Sequence, residues 1–147
     1  SMNISYEEWE KTLSKTYKGV IDAGVDSVMV GHISFPAIDD TMLNGKYIPA
    51  TFSEKIIKGI LREKMGFEGV IITDDLTMDA ITEFAGDQNP AVLAVKAGND
   101  MICCSELDSG YNAVINAVNN GEINTAQIDQ SVTRILEWKQ RLGILGF

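Results

Sequence analysis

The sequence is poor in the features that define several large functional classes. It carries 12 lysines and arginines against 21 aspartates and glutamates, a net charge of −9. A nucleic-acid footprint needs clustered positive charge to displace counterions, so neither nucleic acid nor an anionic membrane surface is an expected partner. No apolar run approaches the roughly 20 residues of a membrane-spanning helix. The two cysteines, Cys103 and Cys104, are adjacent within Met101–Ile102–Cys103–Cys104. They support no disulfide framework and read as small buried hydrophobes. No glycine-rich phosphate loop and no calcium loop is present. There is one histidine, His32, so any chemistry needing two imidazoles is excluded from the chain itself.

What remains is an ordinary globular composition, 45% hydrophobic and 22% charged over 147 residues. That suits one domain with a sizeable core. Ser1 and Met2 read as a cloning scar ahead of an internal start.

Helix and strand signals alternate along the chain. Ser5 and Glu8 form a capping box ahead of a helix whose Trp9, Leu13 and Tyr17 share one face, with Gly24 as its stop. Val28–Met29–Val30 is apolar on both faces, as a covered parallel strand requires, and ends at Gly31–His32–Ile33. Residues 34–49 contain Pro36, Asn44, Gly45 and Pro49 and read as a loop, with Asp39–Asp40 as solvated charge. Ser53 caps a second helix presenting Ile56, Ile57, Ile60 and Leu61. Val70–Ile71–Ile72 is a second buried strand, ending at Thr73–Asp74–Asp75. Pro90 opens a third helix. Met101 to Cys104 is a third strand, delivering Ser105 and Glu106 at its end. Tyr111, Val114, Ile115 and Val118 mark a fourth helix. The last, capped at Asn124, is expected to bury Ile128, Val132, Ile135, Leu136 and Leu142.

This order predicts an α/β fold with parallel strands near 28–33, 69–74 and 100–104. It fits either a small open sheet or a partial (half) TIM-type (β/α)8 barrel, since a whole barrel takes about 250 residues. In both, function lies at the C-terminal strand ends. Asp74 stands at such an end, where a carboxylate held ionised by hydrogen bonds can serve as a nucleophile or metal ligand. The residues alone leave open that Asp74 or Asp75 instead caps the next turn. His32 can be a structural residue or a ligand. A magnesium site from Asp74, Asp75 and Asp79 is a further alternative.

Three segments together are specific. Val28–Met29–Val30–Gly31–His32–Ile33, then Pro49–Ala50–Thr51–Phe52–Ser53, then Gly66–Phe67–Glu68–Gly69–Val70–Ile71–Ile72–Thr73–Asp74–Asp75–Leu76–Thr77–Met78 resemble glycoside hydrolase family 3. The likeness is strongest to its bacterial β-N-acetylhexosaminidase (NagZ-like) branch. Ala97–Gly98–Asn99–Asp100–Met101 and the final helix continue it, so that it runs from about Ser5 to Leu145. The resemblance implies that residues 1–147 are the C-terminal half of a catalytic barrel domain. It implies a retaining hydrolase without cofactor or metal, acting on a carbohydrate bearing terminal β-linked N-acetylglucosamine. Peptidoglycan and chitin fragments both qualify as substrates. Asp74 would be the nucleophile, and Asp75, Met78 and His32 would line the sugar site. The family's acid/base loop, K-H-F-P-G-H-G-x-x-x-x-D-S-H, has no counterpart here. The chain alone is therefore expected to be inactive, and its open strand edges to drive self-association. A β-glucosidase of the same family and a non-catalytic half-barrel module are the alternatives.

Overall fold

The centre of the molecule is built from the apolar runs that can lose water on both faces. The structure, a computed structural model, describes residues 1–104 and 106–145. Strand β1, Ser27–Val30, pairs in parallel with β4, Val70–Thr73, in the register Ser27 to Val70 through Val30 to Thr73. Val70 and Ile71 are fully buried, each contributing about 2 kcal/mol of apolar transfer. Gly69 at the entry to β4 has no room for a side chain. A Cβ there would lie 2.4 Å from the Asp26 carbonyl oxygen and 2.6 Å from the Phe67 ring.

The third expected strand keeps its place and direction but is reduced to one parallel bridge, Ile72 to Met101. The Asp100 and Met101 amides both donate to the Ile71 carbonyl, and Thr73 N–H donates to the Met101 carbonyl at 3.1 Å. The ladder stops there because the Cys103 amide turns to the Thr73 hydroxyl at 2.9 Å. Cys103 is exposed and Cys104 half-buried, which corrects the reading of both as buried hydrophobes. Burial and the neighbouring Cys103 push the Cys104 thiol pKa up.

Helices flank the strands. The first expected helix is two, α1 (Tyr6–Lys11) and α2 (Leu13–Asp22), broken at Thr12. The Thr12 hydroxyl takes the Glu8 carbonyl at 2.6 Å, and such side-chain competition for backbone acceptors bends helices. Trp9 is therefore buried, whereas Leu13 and Tyr17, expected on the same face, are exposed. The loop 34–49 holds a small hairpin of β2 (Met42–Leu43) and β3 (Lys46–Tyr47). Its turn residues Asn44 and Gly45 both have positive φ, 52° and 75°, as a two-residue turn matched to strand twist requires. A 3-10 turn, Ala50–Phe52, leads into a wide helix, Lys55–Lys64, which closes with Met65 N–H on the Ile60 carbonyl. Four helices follow: α3 (Asp79–Ala85), α4 (Pro90–Ala97), α5 (Leu107–Asn119) and α6 (Thr125–Arg141). The side chains expected as caps, Ser5, Ser53 and Asn124, each accept a backbone N–H, and Asn89, ahead of Pro90, does the same for α4.

The largest core cluster joins Trp9, Val30, Phe35, Ile57, Leu61, Met65, Phe67, Ile71 and Ala97. A second lies under α3 and α4 around Phe52, Leu76, Ile81 and Phe84. At the sheet end opposite Asp74, the buried Asp100 carboxylate pairs with Arg62 and Arg134, and accepts from the Ser131 hydroxyl and the Ile71 amide. This ties the wide helix and α6 to the strands. Helix α6 does not bury the face expected of it. Ile128 and Ile135 are half-buried, and Val132, Leu136 and Leu142 are exposed, because no described element covers that side. The architecture is an α/β partial barrel. Among the described residues no helix is long and apolar enough to cross a membrane.

Candidate functional site

The C-terminal ends of β1 and β4 lie side by side because the strands are parallel and in register. The Asp74 amide extends the ladder by donating to the Val30 carbonyl at 3.1 Å. This brings His32, two residues past β1, next to Asp74 and Asp75, immediately after β4. Residues 50–52 return to the same place, with Ala50 N–H on the Ile33 carbonyl at 3.0 Å.

The two neighbouring acids have different hydrogen-bond partners. Asp75 Oδ1 accepts from the Thr77 amide at 2.9 Å and the Thr77 hydroxyl at 2.8 Å. These bonds, with a smaller contribution from His32, hold its carboxyl below the ordinary aspartate pKa. Asp75 is thus the residue that caps the turn. Asp74 is half-buried, and among the described residues its Oδ1 accepts only the Asp75 amide, at 2.8 Å. Its Oδ2 has no hydrogen-bond donor among the described residues. A carboxylate at a strand end with one oxygen anchored and the other uncommitted can attack an electrophilic carbon or stabilise a developing cation.

His32 is half-buried. Its Nδ1 lies 2.7 Å from Thr51 Oγ1 and its Nε2 2.9 Å from the Asp75 carbonyl oxygen. Met78 begins the turn into α3, is substantially exposed, and points its amide at the same Asp75 carbonyl at 3.3 Å. A cleft beside His32 runs between the β2–β3 hairpin and α3, lined by Ser34, Lys46, Tyr47, Glu83 and Phe84. The Lys46–Glu83 ion pair bridges the hairpin and α3 on its wall.

Other candidates fall elsewhere. Glu106 is exposed at the start of α5 and caps nothing with its side chain. Ser105 lies outside the described residues. Asp79 is in the first turn of α3, exposed. Among the described residues no group of three or more His, Cys, Asp or Glu side chains is close enough to hold a metal ion. The magnesium alternative therefore lacks its ligand cluster, since Asp75 is already committed to Thr77. Asp40 is exposed as expected, but Asp39 is not solvated charge: it is only 3% exposed. Burial opposes its ionisation, yet bonds from Ser53, Thr41 and Lys55 outweigh this and lower its pKa. Asp39 braces the entry to the wide helix. Sequence reasoning also missed Thr51 and Asn99. Thr51 is fully buried behind His32, and Asn99 Nδ2 donates to its carbonyl at 2.9 Å. Neither carries a local signal, because both act through contacts with residues 19 and 48 positions away.

Comparison with known proteins agrees with this geometry. The family model described as "Glycosyl hydrolase family 3 N terminal domain" matches residues 2–138. A protein of Cellulomonas fimi named β-N-acetylglucosaminidase/β-glucosidase is 31% identical over 146 residues, covering 96% of this chain and 26% of that protein. A β-hexosaminidase of Nitrosomonas eutropha is 35% identical over 106 residues, covering 71% of this chain and 28% of its own length. Among solved structures, a glycoside hydrolase family 3 β-N-acetylglucosaminidase from Paenibacillus sp. superposes with a TM-score of 0.86 at 35% identity. That match covers 98% of this chain and 27% of the other. The chain thus spans about a quarter of the length of these relatives. With its parallel strand ends, its partial barrel and this match along almost its whole length, the chain belongs to glycosyl hydrolase family 3.

Proposed function

We propose that this chain forms part of a retaining glycoside hydrolase that removes terminal β-linked N-acetylglucosamine, with Asp74 as the nucleophile. The observation that carries the reading is the contrast at the end of β4: Asp75 is consumed by the Thr77 turn, while among the described residues Asp74 keeps one carboxylate oxygen uncommitted. Asp74 would attack the anomeric carbon as the bond to the leaving oxygen breaks, giving a glycosyl ester. Water would then attack the same carbon and release Asp74, so that two inversions retain configuration. Met78, exposed and with its amide on the Asp75 carbonyl, would line the sugar.

The leaving oxygen needs a proton, and a general acid is typically worth roughly 10²–10⁴-fold. The only histidine is bonded through both ring nitrogens and Asp75 is engaged by Thr77. These contacts support a proton donor supplied by another part of the enzyme, with residues 1–147 as the C-terminal half of the catalytic barrel. The name of the Cellulomonas fimi relative, which joins both activities, supports β-glucosidase as the second reading. The apolar residues left exposed in and just past β1, Met29 and Ile33, support association of the isolated chain with itself.

A mechanism-based fluoro-sugar that arrests the glycosyl ester tests the assignment in the whole enzyme. Mass spectrometry is expected to find the sugar on the peptide containing Asp74, and to find none after Asp74→Asn. Labelling of any other residue would overturn it. Parallel turnover of aryl N-acetylglucosaminide and aryl glucoside decides between the two sugars.

A further inference from the structure

His32 has no free ring nitrogen to offer a sugar. Its Nε2 is 2.9 Å from the Asp75 carbonyl oxygen. A carbonyl only accepts, so Nε2 carries the proton in this contact. Its Nδ1 faces the hydroxyl of Thr51 at 2.7 Å. That hydroxyl is within 2.9 Å of the Gly31 carbonyl and 3.2 Å of the Val30 carbonyl. Thr51 is itself fully buried, with its carbonyl taken by Asn99. The imidazole is thus held from behind by a post built on the end of β1.

What it holds in front is residue 75. The Asp75 carbonyl is gripped by His32, and the Asp75 amide donates to Asp74 Oδ1 at 2.8 Å. Thr51, His32, the Asp75 backbone and the Asp74 carboxylate form one continuous chain of contacts. An aspartate has two side-chain torsions, and among the described residues that amide is the hydrogen-bond donor that biases them. Its aim is only as good as the fixing of residue 75. A misplacement of about 1 Å at a reacting atom can cost roughly 10²-fold in rate.

We propose that His32 is a positioning residue for Asp74, acting through the backbone of Asp75, and not a ligand of the sugar. This rests on Asp74 being the nucleophile.

The test is made on the 147-residue chain by NMR. In the unsubstituted protein, a coupling through the hydrogen bond is expected between His32 Nε2 and the Asp75 carbonyl carbon, with Nε2 protonated. A ring protonated on Nδ1 alone, or no coupling, would overturn the proposal. In His32→Ala, hydrogen exchange of the Asp75 amide is expected to accelerate about ten-fold relative to that of Ile71, the scale of one lost bond. The Asp74 side-chain couplings should average toward free rotation. His32→Gln, whose amide nitrogen reaches about as far as Nε2, should restore protection, whereas His32→Asn, with its donor nearer the backbone, should not. Equal acceleration at residues 71 and 75, or equal behaviour of the Gln and Asn variants, would mean a general structural role and refute the link. If His32→Ala does not fold, the coupling in the unsubstituted chain and the Gln and Asn variants still decide. A fluoro-sugar label away from Asp74 would defeat the nucleophile assignment while leaving the coupling intact. A missing coupling with Asp74 labelled would defeat only the positioning role.

Discussion

Asp75 and Thr77 close a turn in which one carboxylate oxygen accepts both the amide and the hydroxyl of the same threonine, at 2.9 and 2.8 Å. Asp74, the residue before, has no such partner among the described residues and there takes only the Asp75 amide. The two acids should therefore separate by mutation. In the whole enzyme, Asp74→Ala is expected to lower kcat/KM by at least about 10³-fold, as loss of a nucleophile does, with an unchanged melting temperature. Asp75→Asn should cost far less, because an amide oxygen can still accept from Thr77. Steady-state kinetics beside thermal unfolding checks this. An equal loss at both positions would reassign the nucleophile.

Asp39 sets a pH dependence of stability. Burial would raise its pKa, but the Ser53, Thr41 and Lys55 bonds lower it overall. A pKa depressed on folding contributes stability above the unfolded aspartate value near 3.9, and that contribution is lost as pH falls through the folded value. Asp39→Asn is thus expected to be less stable by about 2 kcal/mol at pH 7, the scale of hydrogen bonds to a buried charge. The difference should shrink below about pH 4. Urea unfolding of both proteins from pH 7 to pH 3 measures it, and a gap that does not change with pH would show that the carboxylate charge is irrelevant.

The chain alone is expected to give no measurable hydrolysis of an aryl β-N-acetylglucosaminide. His32 is bonded at both nitrogens, so no imidazole is free to protonate a leaving group. A discontinuous assay at millimolar substrate suffices. Turnover that disappears in Asp74→Asn would mean that another group in these residues supplies the proton.

Self-association follows from what the fold leaves uncovered. Met29 in β1 and Ile33 just past it are 59% and 58% exposed, and Leu107 and Tyr111 on the other flank are 71% and 63% exposed. Apolar surface next to unpaired strand edges favours a second chain. Light scattering after size exclusion at micromolar concentration is expected to give a dimer, and Met29→Lys with Ile33→Lys to shift it toward monomer. A monomer at all concentrations would show that the net charge of −9 outweighs the apolar edges.

Local chemistry was enough to read the strand runs, the caps at Ser5, Ser53 and Asn124, and the position of Asp74 at a strand end. Apolar runs, capping hydroxyls and amides, and glycine stops act within a few residues, so their pattern survives in one dimension. The Asn44–Gly45 signal for the hairpin was also present, although the segment reads as a loop because the strands around it are only two residues each. Other outcomes were set only by the tertiary structure. Thr12 splits a helix whose apolar spacing is continuous, and α6 leaves exposed a face that looks buried by periodicity, since periodicity shows which side is apolar but not whether anything covers it. Asp39 and Asp40 are indistinguishable as neighbouring acids until the fold brings Ser53 and Lys55 to one of them. The same holds at the site: the sequence by itself determined that Asp74 and Asp75 follow a buried strand and that His32 follows another. Only the parallel register, which puts Val30 beside Thr73, decided that the histidine meets the Asp75 backbone. Hydrogen bonds are short and directional, so which group receives them depends on distances that no spacing along the chain encodes.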